Sequence, residues 1–383
     1  MTANSFNAPK VAFISGCNGI SGHALVEHLS KQPASEWSKI VISSLRPSSV
    51  VWTDPRIQFV AVDFLGSQEK AVKALRELCQ DITHVYFTSY VHNDDLNKLV
   101  EKNVPLFKNF MEVIERICPR LERVCLQTGG KHYGCHLGPT KQPITEDIPR
   151  YEDRGLNFYY QQEDFLFEVQ KRRNQWSYNI IRPFGIIGYT PSANGMSLAV
   201  SFAVYFLLNL ELGQSAPFPG SSVVLDFPED ISYSPSIADM SVWATTNERA
   251  RNQAFNQVSG DPVVMRYFWP QLAAYFGVEM DEVTTLQSDI NDWIKDKRPV
   301  WERVVAKYGG KVEAFDWCTW GMFEWAYCQR HWPALPSVTK ARSLGWMRVD
   351  TAMQCWEETF GTFENAGILP KASVIRAALK EGK

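Results

Sequence analysis

From Val11 onward, short apolar runs alternate with longer segments whose apolar positions recur at helical spacing. The runs are Val11–Ser15, Ile40–Ser44, Phe59–Asp63, His84–Ser89, Arg123–Gln127 and Tyr178–Pro183. Each is nearly continuous in apolar character and bounded by polar or turn residues, the pattern of a strand buried on both faces. Between them, Ile20–Leu29, Val72–Cys79, Leu99–Ile117 and Tyr159–Val169 predict helices, with Pro105 expected to kink or split the third. Strand and helix in alternation imply β-α-β units, hence an α/β, doubly wound parallel sheet.

After Gly188 the alternation weakens and the chain grows richer in Pro, Trp and long loops up to about Ser343. A late strand signal at Ala254–Val258 predicts a return to the main sheet. The apolar stretch Leu198–Leu210 is interrupted by Ser201 and Asn209 and falls short of the roughly 20 residues a spanning helix needs, so it predicts a buried helix and no stable membrane insertion. The crowding of Trp317, Trp320, Phe323 and Trp325 predicts a large apolar cavity or a thick second core.

Charge and cysteine usage narrow the function classes. Net charge is −3 and no basic stripe lies on a predicted helix, so the electrostatic footprint of nucleic-acid binding is missing. The 8 cysteines form no C-x-x-C pair and read as buried thiols of a reducing compartment. Met1 to Lys10 is polar and lacks the character of a signal peptide, which makes the cytoplasm the expected location.

The strongest local signal is Gly16-Cys17-Asn18-Gly19-Ile20-Ser21-Gly22, directly after the first strand and opening the first helix. There one glycine permits a tight turn, another lets backbone approach a pyrophosphate, and a third lets helix and strand pack closely, while the helix N-terminus offers N–H groups. This is the Rossmann-type arrangement, and it assigns Gly16, Asn18, Gly19, Ile20 and Gly22 to a dinucleotide. The second strand ends Ser43-Ser44-Leu45-Arg46 without the acidic residue that would hold a free ribose hydroxyl. Ser44 and Arg46 therefore favour the 2′-phosphate of NADP(H) over NAD(H), although Arg46 also reads as a solvated surface charge. Asp63 suits the adenine amino group or a turn cap, and Phe64, Ser89, Tyr90, Gln127, Pro183 and Ile186, at or just past the later strand ends, complete the expected cofactor contacts.

Three blocks follow in order: Gln127-Thr128-Gly129-Gly130-Lys131-His132-Tyr133, then Asn157-Phe158-Tyr159-Tyr160, then Ile181-Arg182-Pro183-Phe184-Gly185. With the glycine turn they resemble the atypical extended short-chain dehydrogenases/reductases of the progesterone 5β-reductase and iridoid synthase (PRISE) type. Asn252–Asn256, Pro299–Glu302 and Phe268-Trp269 extend the resemblance over nearly the whole chain. Ordinary short-chain reductases use Tyr-x-x-x-Lys, but the residue four beyond Tyr159 is Glu163. The resemblance instead implies catalysis by Tyr159, with Lys131 supplying the ammonium from its own block. It implies an NADPH-dependent ene-reductase that saturates an α,β-unsaturated carbonyl in an apolar, secondary-metabolite-like substrate. Carbonyl reduction and redox-neutral isomerisation or cyclisation on the same fold are the alternatives. On residue character alone, Tyr159 equally suits packing at a helix start and Lys131 a solvated loop.

Two departures from the family pattern stand out: a longer stretch Gly134–Leu137, and Ser43-Ser44 where paired arginines are expected. His132, Cys135 and His136 lie close in sequence, but without a fourth ligand cluster they are expected to organise the loop and not to hold a metal. The expected organisation is an NADP(H)-binding core over 1–188 with a return around 236–260, and an intertwined, smaller C-terminal substrate lobe from 189–235 and 261–383. Small apolar carbonyl compounds are the expected partners, and a homodimer is compatible with all of this.

Overall fold

The computed structural model describes residues 8–93, 95–195 and 197–381; residues 1–7 of the polar leader lie outside the described residues. Seven parallel strands form the main sheet: β1 (Lys10–Ser15), β2 (Trp37–Ser44), β3 (Ile57–Ala61), β4 (His84–Phe87), β5 (Arg123–Gln127), β6 (Ser177–Pro183) and β7 (Gln253–Gln257). Their order is β7-β6-β5-β4-β1-β2-β3, so the winding reverses between β1 and β4. That reversal opens a crevice at the carboxyl ends of the strands.

On one face pack α1 (Ile20–Ser30) and α6 (Ser234–Thr246), whose Leu25, Val26, Ile237 and Met240 share a core with Ile14, Ile40 and Ile42. On the other lie α2 (Gln68–Cys79), α3 (Leu96–Ile117) and α4 (Phe158–Arg173), whose Leu75, Phe107, Phe110 and Leu166 close over Phe13, Val41 and Phe87. Apolar residues on both strand faces thus follow from helices on both sides. The return strand is present: β7 pairs in register with β6 from Gln253 against Asn179 to Gln257 against Pro183.

Several boundaries differ from expectation. β3 covers Ile57–Ala61 and leaves Asp63 beyond its end, and β4 stops at Phe87 because Thr88 and Ser89 turn into the crevice. α3 is one helix of 22 residues that Pro105 does not split. Pro105 lies on the exposed side, where water can satisfy the carbonyl that its missing N–H abandons.

A second core gathers α5 (Ala199–Glu211), α7 (Met265–Tyr275), α8 (Arg298–Tyr308), α9 (Ala352–Asn365) and α10 (Ala372–Glu381). The stretch Leu198–Leu210 is buried here, with Phe202 stacked on Trp356 at 4.7 Å. Phe323 is fully buried and Trp317 and Trp320 pack against this core, while Trp325 faces the crevice. No helix among the described residues is long and apolar enough to cross a membrane. All eight cysteines are free thiols, six of them buried.

Candidate active site

The crevice is a cleft of about 520 Å³. One end is the glycine turn. Gly16 N and Cys17 N donate to Ser43 O at 2.8 and 3.1 Å, and Gly19 N donates to Gly16 O at 2.8 Å. Gly16 has φ +76°, and a Cβ there would stand 2.9 Å from Ser89 N, so neither backbone nor space admits a side chain. A Cβ on Gly22 would fall 2.2 Å from Gly16 O; α1 rests directly on the turn. No side chain caps α1, and Gly19, Ile20 and Ser21 line the cleft, leaving the positive end of the helix open to a ligand.

Of the expected cofactor contacts, Gly16, Gly19, Ile20, Ser44, Asp63, Phe64, Ser89, Tyr90, Gln127, Pro183 and Ile186 line this one cleft. Three do not. Gly22 serves helix packing, as just described. Asn18 turns away and braces the loop after β2: its Nδ2 donates to Ser44 Oγ at 3.0 Å and to Pro47 O at 2.9 Å, and its Oδ1 accepts from Ser49 N at 3.1 Å. Arg46 is exposed off the lining, and its carbonyl accepts from Ser44 Oγ. Asp63 both lines the cleft and caps a turn, accepting from Leu65 N at 2.9 Å.

At the other end, Tyr159 and Lys131 line the same cleft. The Tyr159 hydroxyl lies over Gly129, where a Cβ would come within 3.3 Å of it, two residues before Lys131. Asn157 holds the two segments together. As the N-cap of α4, its Oδ1 accepts from Tyr159 N at 3.2 Å, while its Nδ2 donates to Lys131 O at 2.9 Å. Burial, with smaller contributions from Tyr90 and Cys135, pushes the Tyr159 hydroxyl well above the ordinary phenol value. Each of these contributions favours the neutral phenol, so in this state Tyr159 is a protonated donor.

Tyr160 does not line the cleft and is held in the scaffold. It is 7% exposed, its hydroxyl donates to His132 O at 2.5 Å, and Arg150 sits over its ring at 4.6 Å. Glu163, where other short-chain reductases carry lysine, is also structural. It is 2% exposed, with Arg182 and Arg150 each 3.1 Å from a carboxylate oxygen. His132 Nδ1 stands 3.1 Å from the same carboxylate without forming an aligned hydrogen bond. Burial works to raise the Glu163 pKa, but His132, Arg182 and Arg150 overcome it and hold it at about 2. Tyr133 donates to Asn256 Oδ1 at 2.6 Å and accepts from Arg182 at 3.1 Å. Cys135 Sγ donates to Gly130 O at 3.1 Å, its thiol pushed by burial to about 11. His132 and Cys135 are thus parts of the scaffold around the Lys131 loop.

Comparison with known proteins agrees with this geometry. The model of the PRISE-like Rossmann-fold domain matches residues 12–370. The chain belongs to this family. Among PRISE relatives, the short chain dehydrogenase gsfE of Penicillium aethiopicum is 39% identical over 378 residues, covering 95% of this chain and 100% of that one. The (S)-8-oxocitronellyl enol synthase ISY1 of Nepeta cataria is 33% identical over 79% of each chain. The 3-oxo-Delta(4,5)-steroid 5-beta-reductase of Arabidopsis thaliana is 32% identical, covering 77% of this chain and 76% of that one. In fold, a short-chain dehydrogenase/reductase superfamily protein of Agrobacterium tumefaciens, solved with NAD, superposes with a TM-score of 0.62 at 14% identity, covering 97% and 99% of the two chains.

Within this PRISE scaffold the sequence reading gave no role to Asn157, Gln162 and Thr128 near Lys131, nor to Leu198, Met322, Glu229 and Arg330 in the far wall, whereas Trp325 stood among the aromatics expected to form an apolar cavity. Asn157 was findable, since an asparagine directly before an apolar helix start is an N-cap signal. The far wall was not, because it is assembled from segments more than a hundred residues apart.

Proposed function

We propose that this chain is an NADPH-dependent reductase that saturates the C=C bond of an α,β-unsaturated carbonyl in an apolar substrate. The observation that carries the reading is that a half-buried, protonated Tyr159 and Lys131 line one end of a cleft whose other end is the open N-terminus of α1. The residues present fit a dinucleotide. Ser43 Oγ, Gln127 Oε1 and Thr128 Oγ1 are buried without a partner among the described residues, and all three residues line the cleft, so a polar ligand is needed to complete them. Gly19, Ile20 and Ser21 would hold the pyrophosphate. Ser43 and Ser44, with Arg46 swinging in from the adjoining loop, would receive the 2′-phosphate; no carboxylate at the end of β2 opposes it. Asp63 and Phe64 would flank the adenine, Pro183 and Ile186 the nicotinamide.

When bound, the nicotinamide supplies a hydride to the β-carbon of the substrate. Tyr159 donates its hydroxyl to the carbonyl oxygen, where negative charge grows in the transition state, Lys131 adds positive charge to the same wall, and the enolate so formed is protonated at its α-carbon by solvent on release, which completes saturation. Leu198, Met322, Trp325 and Ala326 give that end an apolar lining that excludes water. Relatives named for enol synthesis and for 5-beta reduction of a 3-oxo steroid support chemistry centred on a conjugated carbonyl. Deuterated NADPH with a panel of enones and enals tests the reading. Label on the β-carbon is expected; label on the carbinol carbon would indicate carbonyl reduction, and product without cofactor consumption a redox-neutral reaction.

A further inference from the structure

Besides Tyr159 and Lys131, the cleft carries an ion pair in its far wall. Glu229 and Arg330 both line it, with Arg330 Nη2 2.7 Å from Glu229 Oε1 and side-chain exposures of only 13% and 10%. Arg330 has little left to offer a ligand. Its Nε donates to Ala326 O at 3.1 Å and its Nη1 to Trp332 O at 3.2 Å, so it clamps the segment that carries Trp325. Neighbouring Asp230 is also committed, accepting from Ser259 Oγ at 2.6 Å, Gly260 N at 3.0 Å and Ile231 N at 2.8 Å.

Glu229 is different. Its Oε1 is buried beside Arg330 Nη2 but has no aligned hydrogen bond among the described residues, while an ionised carboxylate has about four acceptor positions. Burying such a group in an apolar wall is unfavourable unless those positions are used. The pair lines the same cleft as Tyr159, Lys131 and Cys135.

We propose that Glu229, held by Arg330, is the specificity anchor of the substrate chamber and accepts a hydrogen bond from a hydroxyl, phenolic or alcoholic, carried by an otherwise apolar enone. The proposal rests on the reductase reading for the carbonyl end of that compound. With Tyr159 at the carbonyl, the anchor would give the substrate a second attachment point, and the two together orient the double bond. Compounds of the same shape that lack a donor leave the carboxylate desolvated and unpaired, so discrimination is expected to be large.

Meta- and para-hydroxybenzylideneacetone, each paired with its O-methyl ether, serve as probes. Dissociation constants are measured by calorimetry on the full chain saturated with NADP+, and turnover is followed separately with NADPH. The expected result is that at least one hydroxylated probe binds about tenfold or more tightly than its ether, the worth of a hydrogen bond to a charged acceptor, and that the ratio collapses toward one in Glu229→Gln. Should that variant fold poorly with Arg330 unpaired, the apolar double replacement Glu229→Leu with Arg330→Met removes both charges and is expected to erase the preference likewise. Equal or absent binding within both wild-type pairs, or a preference that survives in the variants, overturns the anchor. Reduction of phenol and ether alike overturns the anchor and leaves the reductase reading standing; hydroxyl-dependent binding without NADPH oxidation does the reverse.

Discussion

Glu163→Gln preserves the shape of the side chain and removes a negative charge from among three basic neighbours. The carboxyl's fall from 4.5 to about 2 on folding, at about 1.4 kcal/mol per unit, corresponds to about 3 kcal/mol of stability at neutral pH. The sign follows from the direction: a depressed carboxyl stabilises the fold above 4.5, and the contribution drains away as pH falls from there toward 2. Glutamine cannot replace it, and Arg182, with 6% of its side chain exposed, would remain charged with Tyr133 as its remaining partner. Urea titration followed by tryptophan fluorescence, at pH 7 and pH 5, checks the figure through midpoints at equal slope. Wild type itself weakens below 6.5, because burial depresses His84 to about 3 and His136 to about 4 and the folded chain resists their protonation; that loss is common to both proteins and cancels. The expected difference is about 3 kcal/mol at both pH values, shrinking only below 4.5. A difference under about 0.5 kcal/mol at pH 7, the ordinary scatter of surface substitutions, would refute the reasoning.

Tyr159→Phe removes the donor to the carbonyl oxygen and is expected to lower kcat by about 10²- to 10³-fold, while NADPH affinity, read by nucleotide fluorescence, changes little. Gly22→Ala places a methyl 2.2 Å from Gly16 O, so α1 must move off the turn; a loss of about 1–3 kcal/mol in stability and at least tenfold weaker NADPH binding are expected from melting and titration. Asn157→Ala deletes the α4 cap and the bond to Lys131 O. It should cost about 1 kcal/mol for the cap, and steady-state kinetics should show a larger fall in kcat than change in KM.

The sheet was legible because parallel strands covered on both faces leave continuous apolar runs, and all six sequence-expected strands are present. Boundaries slipped where burial ended: β3 has exposed and half-buried positions, and Thr88 and Ser89 belong by composition to β4 but by geometry to the cleft. The glycine turn was legible because close backbone approach leaves glycine no substitute. Arg46 and Asn18 were less so, since side-chain direction in a loop depends on bonds such as Asn18 to Pro47 O that spacing does not encode. Lys131 and Tyr159 entered through resemblance to a family; their own neighbourhoods read equally well as packing and solvated loop. That Tyr159 is held as the neutral phenol was not legible, because the packing around its ring is set by the fold and not by its sequence neighbours.

On the proposed reading, Asn157 bears on how the two reacting groups are spaced. Where lysine follows tyrosine by four on one helix, their separation is a property of helix pitch, about 5.4 Å per turn, and no change outside that helix can adjust it. Here side-chain bonds from Asn157 and Tyr160 tie the loop to the start of α4, so the ammonium can be moved toward or away from the phenol by altering residues 130–157 while α4 stays still. Grafted or shortened versions of that loop thus become the natural dial for the reactivity of the pair, independent of the nucleotide-binding half.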